Sequence, residues 1–268
     1  MAQIDHKVNI LETIVKSKKR EVEVRRQAKP VSELKTSEFY KRQRFSLKDS
    51  VLNAAKTGII AEFKRKSPSK GVINADADVA TVTKGYFNFG ASALSVLTDE
   101  EFFGGSTDDL ISARVNEIPI LRKDFVIDEY QIVEARSMGA DAILLIAACL
   151  QPAEVKYLAA FAKSLGLEVL LELHAEEELE HICDETELIG INNRDLKTFT
   201  VDLDRSLAMA RKIPAGKIKV AESGIHSSEQ IKLFRENGYH GFLIGEQFMK
   251  QSDPVKAFGN FVESIGTH

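Results

Sequence analysis

The sequence predicts an α/β fold, a (β/α)8 (TIM) barrel preceded by an N-terminal helical extension. Short apolar runs rich in β-forming residues recur roughly every 25 residues, and stretches with helical spacing lie between most of them. Glycine often follows these helical stretches, as in Met-Gly-Ala-Asp and Asn-Gly-Tyr-His, where it can form a left-handed C-cap. Repeated βα units of this length close most naturally into a barrel. A doubly wound open sheet is the alternative, but no Gly-x-Gly-x-x-Gly follows the first strand.

Eight short apolar runs are the predicted strands. In chain order they are residues 59–63, 93–97, 118–121, 142–146, 168–172, 188–192, 218–222 and 241–244. Helical spacing is clearest in residues 131–137, 152–164 and 228–236. This alternation of the two periods is what a barrel of βα units requires.

Residues 1–50 do not fit the repeat, and we expect them to form a helical extension that packs on the barrel of residues 51–268 within a single domain. An amphipathic helix is predicted from Ile10 to beyond Val22, and a weaker helix near residues 36–42. The basic run of residues 16–20 is expected to lie on a solvated helix face; a role in closing a phosphate loop is the alternative.

Composition restricts the classes of partner. The net charge of −4 and pI near 5.9 give no electrostatic reason to expect nucleic acid or an anionic membrane. The first residues contain no apolar signal segment, and the longest apolar run, residues 142–150, is far shorter than the ~20 residues of a membrane helix. The two cysteines, Cys149 and Cys183, have no metal-ligand spacing and are expected to be buried free thiols. We therefore expect a cytoplasmic protein, either a monomer or a weak homo-oligomer.

Polar side chains stand at the C-terminal ends of the predicted strands, with Lys123 just past the third strand. The others are Glu62 and Lys64 at the first strand, Glu172 at the fifth, Asn192 at the sixth and Glu222 at the seventh. Burying an unpaired ionised group costs several kcal/mol or more, so ordinary core packing explains such a set poorly. Barrel enzymes place their chemistry at this face, which predicts an active site there.

Glycine-containing loops after the last two strands predict a phosphate site. Ser223 and Gly224 follow the seventh strand, while Gly245 and Glu246 follow the eighth and precede a short predicted helix, residues 247–250. Backbone N–H groups of such loops can bind an anion, although both glycines could instead serve tight turns only. Ser67, in the basic loop after the first strand, could add a hydroxyl.

Six segments in chain order carry a resemblance to a known family. They are Glu-Phe-Lys-Arg-Lys-Ser-Pro-Ser, Ile-Leu-Arg-Lys-Asp-Phe, Leu-Leu-Glu-Leu-His, Ile-Gly-Ile-Asn-Asn-Arg-Asp-Leu, Val-Ala-Glu-Ser-Gly-Ile and Phe-Leu-Ile-Gly-Glu. Together they resemble the indole-3-glycerol-phosphate synthase family of tryptophan biosynthesis. The extension is similar to that family's N-terminal helix, and the absence of a second barrel resembles the free-standing form rather than the fusion with phosphoribosylanthranilate isomerase.

The resemblance implies the substrate 1-(2-carboxyphenylamino)-1-deoxyribulose 5-phosphate, closed to an indole with loss of carbon dioxide and water, without cofactor or metal. It implies that Lys123 is the general acid at the sugar carbonyl and that Glu172 stabilises charge near the anilino nitrogen or transfers a proton. Lys64 would pair with the substrate carboxylate, and a second acid role in the dehydration is open to it. Glu62, Asn192 and Glu222 would hold the sugar hydroxyls and orient the lysines, and Arg194 would assist near the carboxylate.

The resemblance also implies two binding sets. The ring-binding residues are Phe103, Phe125 and Leu144, and the phosphate-binding residues are Ser67, Ser223, Gly224, Gly245 and Glu246. Since a carboxylate repels a phosphate, Glu246 is expected to bind through its backbone N–H with its side chain turned to solvent.

Two rival functions remain. A sugar-phosphate isomerase on the same barrel, such as phosphoribosylanthranilate isomerase, fits less well because that family uses cysteine and aspartate at the ends of strands one and five. A non-enzymatic sensor of a phosphoribosyl ligand has no added output domain to support it.

Overall fold

The computed structural model describes residues 10–195 and 200–266, and its centre is a closed barrel. Eight parallel strands in those ranges pair in chain order, and the last pairs with the first. They are β1 (Ile59–Phe63), β2 (Ala93–Leu97), β3 (Ile120–Lys123), β4 (Ala142–Ile146), β5 (Glu168–Leu173), β6 (Leu188–Asn192), β7 (Ile218–Glu222) and β8 (Tyr239–Ile244). The predicted (β/α)8 fold is confirmed.

The third strand lies two residues later than predicted. Pairing with β2 begins at Leu94 with Ile120 and ends at Leu97 with Lys123, after the carbonyl of Pro119 has accepted a hydrogen bond. The strand continues through Arg122 because this side chain is completely buried and paired with acidic groups. Lys123 is therefore the last residue of the strand rather than a residue past it.

Helices surround the barrel and cover its ends. They are α1 (Ile10–Ala28), α2 (Val31–Leu34), α3 (Glu38–Lys41), α4 (Leu47–Leu52), α5 (Val79–Asn88), α6 (Thr107–Ala113), α7 (Glu129–Ser137), α8 (Pro152–Ser164), α9 (Leu203–Ala210), α10 (Ser228–Glu236), α11 (Glu246–Met249) and α12 (Pro254–Ile265). A 3₁₀ helix, Glu176–His181, takes the place of a helix between β5 and β6. The predicted glycine caps are present, since Gly139 and Gly238 have φ of 96° and 78°.

Strand alternation separates two apolar layers. Residues such as Phe63 and Leu94 face the helices, whereas Ile60, Leu121 and Leu170 fill the barrel interior. Side chains two residues further along a strand share the interior face. This periodicity directs Glu62, Lys123 and Glu172 to the inner mouth of the barrel, above the interior apolar residues.

Helix α1 packs on the barrel through Ile14 and Val22, which are buried. Residues 1–9 of the predicted extension lie outside the described residues. In the basic run, Lys16, Lys19 and Arg20 are exposed as expected, but Lys18 is only 1% exposed. The expectation of a solvated face is therefore wrong for Lys18, because acidic groups of the barrel surround its ammonium.

Both cysteines are free, and they are half-buried rather than buried. None of the helices within the described ranges is long and apolar enough to cross a membrane.

Candidate active site

The ammonium of Lys123 lies among three carboxylates at the C-terminal mouth of the barrel. Its Nζ is 3.4 Å from Glu172 Oε2, 3.5 Å from Glu222 Oε2 and 3.8 Å from Glu62 Oε2. The three glutamates are at most 4% exposed. Strands β1, β3, β5 and β7 each contribute one of these four groups at or near their ends, so the sheet register brings together residues that are far apart in the chain.

Two further predicted residues complete this cluster. Lys64 donates to Glu62 Oε1 at 2.7 Å, and Asn192 Nδ2 donates to Glu172 Oε1 at 2.9 Å. Glu62 and Glu172 thus each contact Lys123 through one carboxylate oxygen and accept a hydrogen bond through the other. Such contacts fix the orientation of the carboxylates around the lysine.

The charges in this cluster determine its protonation. Burial by itself would lower the pKa of Lys123, but Glu172, Glu222 and Glu62 outweigh it and hold that pKa well above the usual value. Burial would raise the pKa of Glu172, yet Lys123, His174 and Asn192 hold it well below its usual range. Burial and the neighbouring Glu172 raise the pKa of Glu222 well above its usual value. The site therefore contains a firmly charged ammonium, a firmly charged carboxylate and a carboxyl group more ready to hold a proton.

Glu222 fits into the site because β6 has a glycine opposite it. A Cβ atom on Gly190 would lie 2.0 Å from Glu222 Oε1. Gly190 was not predicted as a site residue. The sequence does not give the register between β6 and β7. In the structure Gly190 pairs with Val220, and the side chain of Glu222, two residues further along β7, extends over Gly190.

A cavity with one apolar wall opens beside the charged cluster. The three predicted ring-binding residues, Phe103, Phe125 and Leu144, all line it, and the rings of Phe103 and Phe125 have centroids 6.0 Å apart. Helix α1 adds apolar lining through Ile10, Leu11 and Ile14. A flat aromatic ligand can lie against this wall with its polar groups toward Lys64, Lys123 and Glu172.

A second, polar cavity adjoins the first at the ends of β7 and β8. Ser223, Gly224, Gly245 and Glu246 line it together, as predicted. Ser223 has φ of 67°, the only positive φ outside glycine among the described residues, and Asn193 Nδ2 donates to its carbonyl at 2.7 Å. A strained residue that is held in place in this way is typical of a ligand-binding loop.

Ser67 lines the first cavity instead of this polar one, and its Oγ lies 3.4 Å from Ser69 Oγ. The Glu246 side chain is 25% exposed and ion-paired, so it does not simply turn to solvent as expected. Arg194 Nη2 donates to Glu246 Oε2 at 3.1 Å, while Arg194 Nη1 donates to Ser69 Oγ at 2.9 Å. The guanidinium balances the charge of the partly exposed carboxylate, so Glu246 can remain beside an anion site.

His174 also belongs to the site, although it was not predicted. Its Nε2 lies 2.9 Å from Glu172 Oε1, and its side chain lines the first cavity. It stands two residues after Glu172 and so shares a face of the chain with it, which is the signal that could have identified it.

A family model described as indole-3-glycerol phosphate synthase matches residues 11–261, which includes most of the extension and nearly all of the barrel. The chain belongs to the indole-3-glycerol phosphate synthase family. This confirms the family inferred from the six motifs, and the isomerase alternative is not favoured.

Similar proteins named indole-3-glycerol phosphate synthase support the assignment. That of Bacteroides thetaiotaomicron is 46% identical over 258 residues, covering 96% of this chain and 99% of its own. That of Polaromonas sp. (strain JS666) is 45% identical over 251 residues, covering 92% and 95%. These relatives of the enzyme match it over almost their whole length.

Solved structures that resemble this synthase-family chain include tryptophan synthase chains. One, from the α2β2 complex of Pyrococcus furiosus, has a TM-score of 0.58 at 15% identity and covers 78% of this chain and 98% of its own. The alpha subunit from Legionella pneumophila has a TM-score of 0.59 at 15% identity, with 82% and 96% covered. At this identity the likeness shows the barrel fold alone.

Proposed function

We propose that this site closes the indole ring of 1-(2-carboxyphenylamino)-1-deoxyribulose 5-phosphate, with Lys123 as the general acid. The activity of the family, the formation of indole-3-glycerol phosphate by a carboxy-lyase, is that of this enzyme. The observation that carries the assignment of roles is the position of the Lys123 ammonium among three buried carboxylates at the barrel mouth.

Ring closure requires a proton at the sugar carbonyl. The ring carbon that bears the carboxylate attacks the carbonyl carbon, and the carbonyl oxygen takes a proton from Lys123 as the new carbon–carbon bond forms. Carbon dioxide then leaves, and the electrons of the broken carbon–carbon bond restore the aromatic ring. The new hydroxyl takes a proton from Lys64 and leaves as water, and the adjacent methylene group loses a proton, which completes the indole. Since the carboxylates raise the pKa of Lys123, the proton donor is fully charged at neutral pH.

Glu172 would act at the anilino nitrogen, where positive charge develops on ring closure. Its pKa is held low, so it is an anion throughout the neutral range and can stabilise that charge. It can then take a C–H proton from the methylene group beside that nitrogen as the hydroxyl leaves, so that the indole keeps its N–H. Asn192 donates a hydrogen bond to its Oε1 atom, and His174 Nε2 lies close to the same atom.

Lys64 and Arg194 would provide positive charge toward the substrate carboxylate before it leaves. Lys64 is held by Glu62 at 2.7 Å and lines both cavities, as does Arg194. The apolar wall of Phe103, Phe125 and Leu144 would hold the aromatic ring and exclude water from the charged groups.

The phosphate would lie in the polar cavity against the loops of Ser223, Gly224, Gly245 and Glu246. Backbone N–H groups of such loops favour an anion, and Lys64 and Arg194 add positive charge on the same side. The Glu246 carboxylate is tied to Arg194, which leaves its backbone to the ligand. A hydroxyl contribution from Ser67, a cytoplasmic location, and a monomeric or weakly associating state are parts of the proposal that rest on the sequence.

The purified enzyme supplied with this substrate, without added metal or nucleotide, should produce indole fluorescence and release one carbon dioxide per product. A chelator should not change the rate. A folded protein that forms no indole, or rearranges the sugar without releasing carbon dioxide, would refute the proposal and favour the isomerase.

A further inference from the structure

We infer that Lys18 is a positioning residue for the reaction, because it joins helix α1 to the two loops that carry Phe103 and Phe125. Helix α1 forms one side of the cavity, which we call the roof, and these two aromatic residues form part of its apolar wall, which we call the aromatic wall. The inference rests on the proposed function, since it assigns Lys18 an effect on the site built around Lys123. Lys18 itself does not line the cavity.

Lys18 is part of a closed ring of alternating charges, which we call the charge ring. Its members are Lys18, Asp124, Arg122, Glu134, Arg25 and Glu21. The successive contacts are Lys18 to Asp124 at 2.9 Å, Asp124 to Arg122 at 3.1 Å, Arg122 to Glu134 at 2.7 Å, Glu134 to Arg25 at 3.3 Å, Arg25 to Glu21 at 2.8 Å and Glu21 to Lys18 at 2.8 Å. Three members come from α1 and three from the barrel, so the ring joins the extension to β3 and α7.

The central part of this ring is buried. The Lys18, Asp124 and Arg122 side chains are at most 1% exposed. Burial would lower the pKa of Lys18, but Asp124, Asp99 and Glu21 outweigh it and raise that pKa above its usual value. Such a buried, mutually satisfied set has one favourable geometry, because each charge that lost its partner would be left in a poorly solvated place.

The charge ring is connected to the aromatic wall through two carboxylates that Lys18 holds together. Asp124 follows Lys123 directly, and its Oδ1 accepts from the Phe125 N–H at 2.8 Å. Asp99 Oδ2 lies 2.9 Å from Lys18 Nζ, and Asp99 Oδ1 accepts from the Phe103 N–H at 3.2 Å. The backbones that carry both wall aromatics are therefore bonded to partners of Lys18.

Lys18 also sets the position of the roof. Ile14 stands four residues before it, on the same face of α1, and lines the cavity with Ile10 and Leu11. Because Lys18 joins this helix to the ends of both β2 and β3, a shift of the helix would move the roof relative to the aromatic wall.

The test compares Lys18→Met with Arg26→Met, a matched control on the same helix. Arg26 pairs with Asp128 at 2.6 Å, but both side chains are more than one-third exposed and neither belongs to the charge ring. Steady-state kinetics, thermal unfolding and hydrogen exchange of α1 amides are measured on each variant at a temperature where circular dichroism shows it folded.

For Lys18→Met we expect faster exchange of α1 amides, a raised KM and a kcat/KM lower by at least about tenfold. A displacement of the cavity walls by about 1 Å is enough to impair a positioned site strongly. Arg26→Met should stay within about twofold of the wild type. A folded Lys18→Met variant with a smaller loss of kcat/KM would overturn the inference, because Lys18 would then be a purely structural anchor. An equal loss in Arg26→Met would also overturn it, because any disturbance of α1 would then have the same effect.

If Lys18→Met does not fold, Asp99→Asn decides the question. The amide oxygen can still accept from the Phe103 N–H while the charge contact with Lys18 is lost. A loss of kcat/KM of at least about threefold supports the inference, and a smaller loss contradicts it. Wild-type turnover tests the proposed function separately, because this inference depends only on the ratio of variant to wild type.

Discussion

Replacement of Gly190 by alanine should displace the Glu222 carboxylate while leaving the barrel folded. The new Cβ would lie 2.0 Å from Glu222 Oε1, whereas ordinary contact begins at 3.4 Å, so the carboxyl group must move by about 1.4 Å. Glu222 Oε2 is 3.5 Å from Lys123 Nζ, and a shift of this size removes that contact. A misplacement of about 1 Å can cost on the order of 10²-fold, so we expect kcat/KM to fall by about 10²-fold.

The effect on stability should be smaller than the effect on activity. Overpacking a core position costs about 1–3 kcal/mol, and the gain from replacing glycine within a strand offsets about 0.5–1 kcal/mol of it. Gly241→Ala is the matched control, because its Cβ would crowd Val220 at 2.9 Å, a barrel residue that lines neither cavity.

Steady-state kinetics and thermal unfolding of both variants provide the measurement. Gly241→Ala should lose stability while its kcat/KM stays within about threefold of the wild type. If folded Gly190→Ala also keeps kcat/KM within that limit, the placement of Glu222 against Gly190 does not matter for catalysis and the reasoning is wrong.

Four further outcomes are expected. Lys123→Met should lower kcat by about 10² to 10⁴-fold with a much smaller change in KM, and a loss below about threefold in single-turnover assays would remove Lys123 from the acid role. Because the pKa of Lys123 is raised in the folded state, its stabilising contribution is complete below the unfolded pKa of about 10.4 and is lost only as pH rises through the higher folded value. Unfolding free energies measured from pH 7 to 11 should therefore show no lysine-dependent loss below about pH 10, judged against Lys123→Met. At pH 7, Glu222→Gln should lower the melting temperature less than Glu172→Gln does. The folded protein favours the neutral form of Glu222, whose pKa is raised, and the charged form of Glu172, whose pKa is lowered, so a neutral amide replaces Glu222 at the smaller cost. The reverse order of melting temperatures in calorimetry would contradict these directions. Gly224→Ala forces φ of 70° on alanine and places its Cβ 2.4 Å from Val201, which should distort this loop. A phosphorylated substrate analogue should then bind at least about tenfold more weakly, or about 1.4 kcal/mol. An equal loss of affinity for a phosphate-free analogue would place the phosphate elsewhere.

The sequence alone determined the repeating architecture and the face on which the site lies. Strand periodicity assigns Glu62, Lys123, Glu172 and Glu222 to strand ends, and in a parallel barrel all such ends meet at one mouth. These inferences depend on spacing within single elements, which hydrophobic alternation reports well. The shifted third strand shows the limit of that signal, because a buried, ion-paired Arg122 looks like a loop residue when only its polarity is read.

Only the tertiary structure decided which charged groups are partners. Lys18 and Lys19 are adjacent basic residues of one helix, yet one is buried against Asp99 and Asp124 while the other is exposed. Glu246, whose side chain is 25% exposed, forms an ion pair with Arg194, which lies 52 residues away in the chain. Local partners such as Glu21 contribute, but the contacts of Lys18 with Asp99 and Asp124 come from distant segments, and that proximity depends on how the strands and helices pack.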